Sequence, residues 1–224
     1  MGDSSQQPLW LSIPKDTLAL LPAARYEGEI IVIDKDSMVD AAIERLKKEA
    51  ILGFDTETRP SFHRGQNNRV SLIQLATPEI CYLFRINKLS DIKGIIGILE
   101  NPDILKIGLS IHDDFHSLNK IAKTNPQGFI DLQSYVKDYH IFDNSLSRIY
   151  GIVFGMKISK NQRLSNWEAD TLTAAQEAYA ALDAGACVSI FRYLEKGEFD
   201  PEASPYIKLP EIPEDIISAE DNPE

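Results

Sequence analysis

Four carboxylates and one phenol stand inside or beside apolar segments of this chain. Asp55 and Glu57 lie in Gly53-Phe-Asp-Thr-Glu-Thr58. Asp114 lies in Ile107-Gly-Leu-Ser-Ile-His-Asp-Asp-Phe-His-Ser-Leu118, and Tyr179 and Asp183 bound Tyr179-Ala-Ala-Leu-Asp183. An unpaired charge taken out of water is costly, so such a set of acids needs a strong partner. A pair of hard divalent cations, which take oxygen ligands, is a natural one, and two-metal sites perform phosphoryl transfer.

Each segment also has a plainer reading. Asp-x-Glu at the end of a strand is common as a solvated terminus. An acid in the first turn of a helix, the place of Asp114, is favoured by the helix dipole. Asp183 is harder to explain in that way. It sits mid-helix, Tyr179 is one turn back on the same face, and that face continues with Ala186 and Ile190 rather than with charges. His112 and His116 have the i, i+4 spacing of a zinc-protease helix. Asp stands there where a Glu base is needed, and no third ligand is evident.

The elements that must position these residues follow from pattern and punctuation. Glu29–Ile33 reads as a short strand, and Ser37 as the N-cap of a helix running to about Ala50. Ile51–Glu57 reads as a buried strand with its acids at the end, where alternation turns Asp55 and Glu57 to the same face. Val70–Thr77 and Ile80–Phe84 form a hairpin around Pro78. A helix over about Asp91–Glu100 stops at Asn101-Pro102. A strand over Ile104–Ser110 leads into a helix through about Lys123, and Phe129–Leu132 is the last strand. The rest is helical, ending in a long helix from about Thr173 to Lys196 with capping-box spacing at Thr173 and Gln176. The order predicts an α/β fold with a mixed, roughly five-stranded sheet, one antiparallel strand and helices on both faces.

A chain of 224 residues, 43% hydrophobic and 25% charged, reads as one ordinary globular domain. Residues 1–28, with Pro8, Pro14 and Pro22, read as an irregular N-terminal arm. The acidic, proline-rich tail over 198–224 reads as extended or disordered, with one strap packed by Tyr206, Ile207 and Leu209. No run reaches the length of a membrane span, and the first residues lack the pattern of a secretory leader. Cys81 and Cys187 sit far apart in apolar segments, which points to buried thiols and a reducing, cytoplasmic setting.

The net charge of -11 is unusual for a nucleic-acid enzyme, because phosphate binding favours a basic surface. Residues 195–224 account for -8 of it, which leaves -3 on the first 194 residues. Arg59, Arg64 and Arg69 follow closely on the first acidic motif, so nucleic-acid binding is permitted.

Together the three segments resemble the tyrosine-bearing branch of the DEDD superfamily of 3′–5′ exonucleases. Phe54-Asp-Thr-Glu-Thr58 resembles its first motif, and Val70-Ser-Leu-Ile-Gln-Leu-Ala76 looks like the Werner-type and ribonuclease-D-like members. Gly108, Asp114 and Leu118 match the spacing of the second motif, which selects Asp114 over Asp113. Tyr179 and Asp183 match the third, and Ser165-Asn-Trp167 resembles a further hallmark. The resemblance implies a ribonuclease-H-like fold over residues 29–197. It also implies that Asp55, Glu57, Asp114 and Asp183 hold two Mg²⁺ or Mn²⁺ ions and that the Tyr179 hydroxyl orients the attacking water. The implied substrate is DNA or RNA with a free 3′ end, shortened with release of nucleoside 5′-monophosphates. Thr56 and the residues around Glu57 would meet the terminal sugar, and Arg59 and Arg64 would engage phosphates. Trp167 reads as packed rather than base-stacking. The helical C-terminal domains of ribonuclease D have no counterpart here, so a bare catalytic domain is expected. The competing expectation is a catalytically silent nucleic-acid- or protein-binding module on the same fold. Protein partners are not legible.

Overall fold

The computed structural model describes residues 9–60 and 69–208. Its centre is a six-stranded sheet of β2 (Glu29–Ile33), β3 (Ile51–Thr58), β4 (Val70–Ala76), β5 (Ile80–Arg85), β6 (Leu105–Gly108) and β7 (Phe129–Asp131). The spatial order is β2-β5-β4-β3-β6-β7. Only β4 runs against its neighbours, pairing antiparallel with β3 and β5, while the other pairings are parallel. The expected mixed sheet with one antiparallel strand is thus present, with six strands rather than about five. The β4–β5 hairpin leaves one edge of β5 open, and β2 pairs along it from Glu29↔Ile80 to Ile33↔Phe84.

Two cores flank the sheet, as period-2 strands buried on both faces require. On one face α2 (Asp36–Leu46), α3 (Lys93–Glu100) and α4 (Ile111–Leu118) pack Val39, Ile43, Leu46, Ile95, Leu99 and Leu118 against Leu52, Phe54, Ile73 and Leu75. On the other lie α6 (Leu146–Phe154) and α7 (Ala174–Glu195), with α5 (Leu132–Tyr135) and the short 3₁₀ turn Val136–Tyr139. There α7 covers Leu72, Ala76, Cys81 and Leu83 with Ala180, Ala181 and Ala184. The capping box at Thr173 and Gln176 is formed as expected. Cys81 and Cys187 are buried free thiols.

Several local expectations shift. Lys35, not Ser37, stands at the N-cap of α2, and the helix stops at Leu46 where its apolar stripe ends. The helix after β6 ends at Leu118, its last buried residue, and Asn119 Oδ1 then accepts from Thr124 N at 3.1 Å. The first 28 residues are not irregular throughout. Trp10–Leu11 forms β1, Lys15–Leu20 forms α1, and Leu11 and Ile13 are fully buried against the α6–α7 core. The reason is alternation: Leu11 and Ile13 point the same way and cover that core, and Ile13 N donates to buried Asp143 Oδ2 at 2.9 Å. Ile207–Lys208 forms β8, antiparallel to β1, and Tyr206 packs on the same cluster. Leu209, the rest of the expected strap, lies outside the described residues.

Candidate active site

Where β6 ends, the acids begin. β6 pairs with β3 only over Ile51–Gly53, so from Phe54 onward β3 keeps one partner, β4. The chain leaves β6 through Ser110, whose φ of 59° turns it sharply into α4. Asp131, at the end of β7, fixes this turn. Its carboxylate accepts from Ser110 N at 3.1 Å, Ile111 N at 3.2 Å and Gln133 N at 2.9 Å. The opening at the carboxyl ends of β3 and β6 is where ligands bind in α/β sheets.

Asp55 and Glu57 point from β3 toward α7, opposite Gln74 and Leu72 of β4. The ladder is irregular between Glu57 and Thr58, as a bulge beside a site often is. Helix α7 comes close because Gly53 has no side chain. A Cβ there would fall within the contact distance of the Ala184 carbonyl, whose carbon would be 2.8 Å away. That approach brings Asp183 to the two strand acids, so that Asp55, Glu57 and Asp183 each offer an oxygen within 4.8 Å of the others. Tyr179, one turn before, brings its hydroxyl beside Asp183.

Asp114 is not within this trio but stands beside it. Its Oδ1 accepts from the Thr56 hydroxyl, and its field reaches both Asp55 and Glu57. Asp113 is exposed. His112 and His116 are exposed on α4, and among the described residues neither joins a cluster that could hold a metal. Arg59 lies 3.5 Å from Glu168, and Trp167 is fully buried, its ring 6.1 Å from that of Tyr179. Arg64 lies outside the described residues.

The electrostatics are those of crowded, buried acids. Burial, then Asp183 and Asp114, push Glu57 up to about 9. Burial raises Asp114 to about 7 against the opposing bond from Thr56. Burial likewise raises Asp183 to about 7, against the neighbouring Tyr179 hydroxyl and the charge of Lys160. Asp55 is raised well above the carboxylate range by burial and by the other three acids. Burial and the neighbouring Asp183 also raise Tyr179, so its hydroxyl keeps its proton. A close group of hard oxygen donors with this excess of proton affinity is a donor set that suits divalent cations.

Three contributors were not singled out in the sequence. Lys160 and Arg163, from the stretch before Trp167, exert their charge on Asp183 and Glu57. They precede Ser165-Asn-Trp167 directly, and that proximity was the available signal. Asp131 gave none, since its role depends on β7 ending beside the β6–α4 turn.

Known proteins resemble this chain over most of its length. The family model for a 3′–5′ exonuclease domain matches residues 30–197. The mouse bifunctional 3′–5′ exonuclease/ATP-dependent helicase WRN is 31% identical over 184 residues, covering 78% of this chain and 13% of that protein. The exonuclease mut-7 homolog of Aedes aegypti is 25% identical over 195 residues, covering 76% of this chain and 27% of that protein. The chain thus spans a small part of these relatives' length. The crystal structure of the Aedes aegypti Nibbler EXO domain superposes with a TM-score of 0.71 at 23% identity, covering 80% of this chain and 96% of that one. Escherichia coli RNase D gives 0.68 at 23% identity, covering 78% and 46%.

Proposed function

The chain belongs to the 3′–5′ exonuclease family, and from that premise we infer that it shortens nucleic acid from a free 3′ end, releasing nucleoside 5′-monophosphates, at the cluster built by β3, α4 and α7. The observation that carries this reading is the convergence of Asp55, Glu57 and Asp183 to within 4.8 Å, with Asp114 and Tyr179 adjoining. The catalytic unit is residues 29–197, flanked by segments 1–28 and 198–224.

Asp55, Glu57, Asp114 and Asp183 would hold two Mg²⁺ or Mn²⁺ ions, which would supply the positive charge that a phosphodiester under attack needs. Asp183 and the Tyr179 hydroxyl stand side by side on one face of α7. Because Tyr179 keeps its proton, it orients the attacking water rather than deprotonating it. Thr56 ties Asp114 to β3, and the family resemblance assigns it to the terminal sugar. Arg59 and Arg64, with Lys160 and Arg163, would engage substrate phosphates. No helix among the described residues is long and apolar enough to cross a membrane, and two buried free thiols suit the reducing cytoplasm.

The test is degradation of 5′-labelled single-stranded DNA, single-stranded RNA and a recessed duplex, in Mg²⁺, in Mn²⁺ and in EDTA, beside Asp114→Ala. A metal-dependent ladder shortening from the 3′ end, absent in the variant, is expected, and the three substrates rank themselves. No ladder under any condition would overturn the reading in favour of a silent binding module.

A pH dependence follows from the raised carboxylates. A folded state that binds more protons than the unfolded one loses stability as pH rises. Asp114 and Asp183 near 7 and Glu57 near 9 therefore cost the metal-free protein stability progressively between pH 5 and 9. Cations compete with those protons, so the rise in Tm on adding Mn²⁺ is expected to be larger at pH 8 than at pH 5.5. An equal rise at both would separate the cations from these acids.

A further inference from the structure

Two buried polar side chains near the site, Gln74 and Trp167, have unpaired polar atoms among the described residues. Gln74 is fully buried, and neither Nε2 nor Oε1 of its carboxamide makes a hydrogen bond. A buried amide left unpaired is destabilising, and an apolar side chain of the same shape would avoid that cost. All seven residues of β4 are buried, and Gln74 is the one that brings a carboxamide.

Its place in the ladder is specific. Gln74 pairs directly with Asp55 across the antiparallel β3–β4 register, on the face that carries Glu57 opposite Leu72 and Gly53 opposite Ala76. Side chains directly opposite in such a pair lie within reach of each other. Its other cross-strand neighbour is Leu83, and the cover over this face is Leu72, Ala76, Trp167, Ala180 and Ala184. Asp55 is therefore the acceptor nearest in register to the unmet Nε2 donors. The indole N–H of Trp167, in the same cluster and also unpaired, is a donor of the kind that Oε1 lacks.

We propose that Gln74 is a positioning residue for Asp55: its Nε2 donates to the Asp55 carboxylate in the cation-loaded protein and sets the orientation in which that carboxylate presents its oxygens. The proposal rests on the reading of the carboxylate cluster as a cation site. Groups that orient a ligating carboxylate typically contribute 10- to 100-fold in metal affinity or activity.

The experiment compares wild type with Gln74→Leu and Gln74→Met, both apolar and close in size. It reads Tm in EDTA, Mn²⁺ affinity by calorimetry, and kcat and KM for 3′-end degradation. In at least one folded variant, Tm in EDTA is expected to hold or rise, Mn²⁺ affinity to fall roughly 10-fold, and kcat to fall by a similar factor with KM little changed. A residue that only fills the core would leave affinity and kcat at the wild-type values, and that result in both variants overturns the proposal while the cation site stands. Failure of both variants to fold also overturns it, since Gln74 would then serve the core. Wild type that takes up no Mn²⁺ overturns the proposal together with the reading beneath it.

Discussion

Exchange of Asp183 for Asn is expected to abolish exonuclease activity and to make the metal-free protein more stable. Asn keeps the size of Asp and leaves an amide oxygen beside Tyr179, so the fold and the tyrosine are retained. What is lost is one charge of the converging trio, a larger loss than the roughly 10- to 100-fold that accompanies removal of a supporting group. The stability gain has the same origin. Asp183 heads the neighbouring charges that raise Asp55 and Glu57, so a neutral side chain removes repulsion from both. At pH 8 in EDTA the gain should be about 1 kcal/mol or more, or roughly 2–4 °C in Tm for a domain of this size. Rate and Tm on the same preparations decide it. Activity above a tenth of wild type would remove Asp183 from the reaction, and a lower Tm would show that its charge is already balanced.

The strands and the last helix were legible because their patterns are strong. The β4 run is apolar throughout, Pro78 marks the hairpin, and Thr173 with Gln176 marks the start of α7. Asp55 and Glu57 on one face follow from strand alternation, and Tyr179 and Asp183 from helical spacing. The N-terminal elements are not legible because they depend on distant partners: β1 has two residues and exists through pairing with β8 near the other end of the chain. Glu29–Ile33 reads as a strand, but the edge position of β2 depends on which side of β5 is free. Asp131 and Gln74 acquire meaning only from register and from a turn elsewhere, and no local pattern encodes either.

Gly53→Ala is the change expected to damage both fold and activity without touching a catalytic group. The added Cβ would be driven into the backbone of Ala184, with the carbonyl carbon at 2.8 Å and Val188 Cγ1 at 3.3 Å. A backbone carbonyl has no rotamer by which to escape, so α7 must lift from β3. Overpacking of this kind costs up to about 3 kcal/mol, or roughly 6–12 °C in Tm. The same displacement carries Tyr179 and Asp183 away from Asp55 and Glu57, and a shift of about 1 Å at a reacting centre costs on the order of 100-fold in rate. Gly97→Ala is the control, because a Cβ there meets nothing within 4 Å and alanine favours the helix. Tm in EDTA and kcat in Mn²⁺ should therefore fall together for Gly53→Ala and hold for Gly97→Ala. If Tm falls and kcat does not, the approach of α7 at Gly53 supports the core but does not set the distance between the acids.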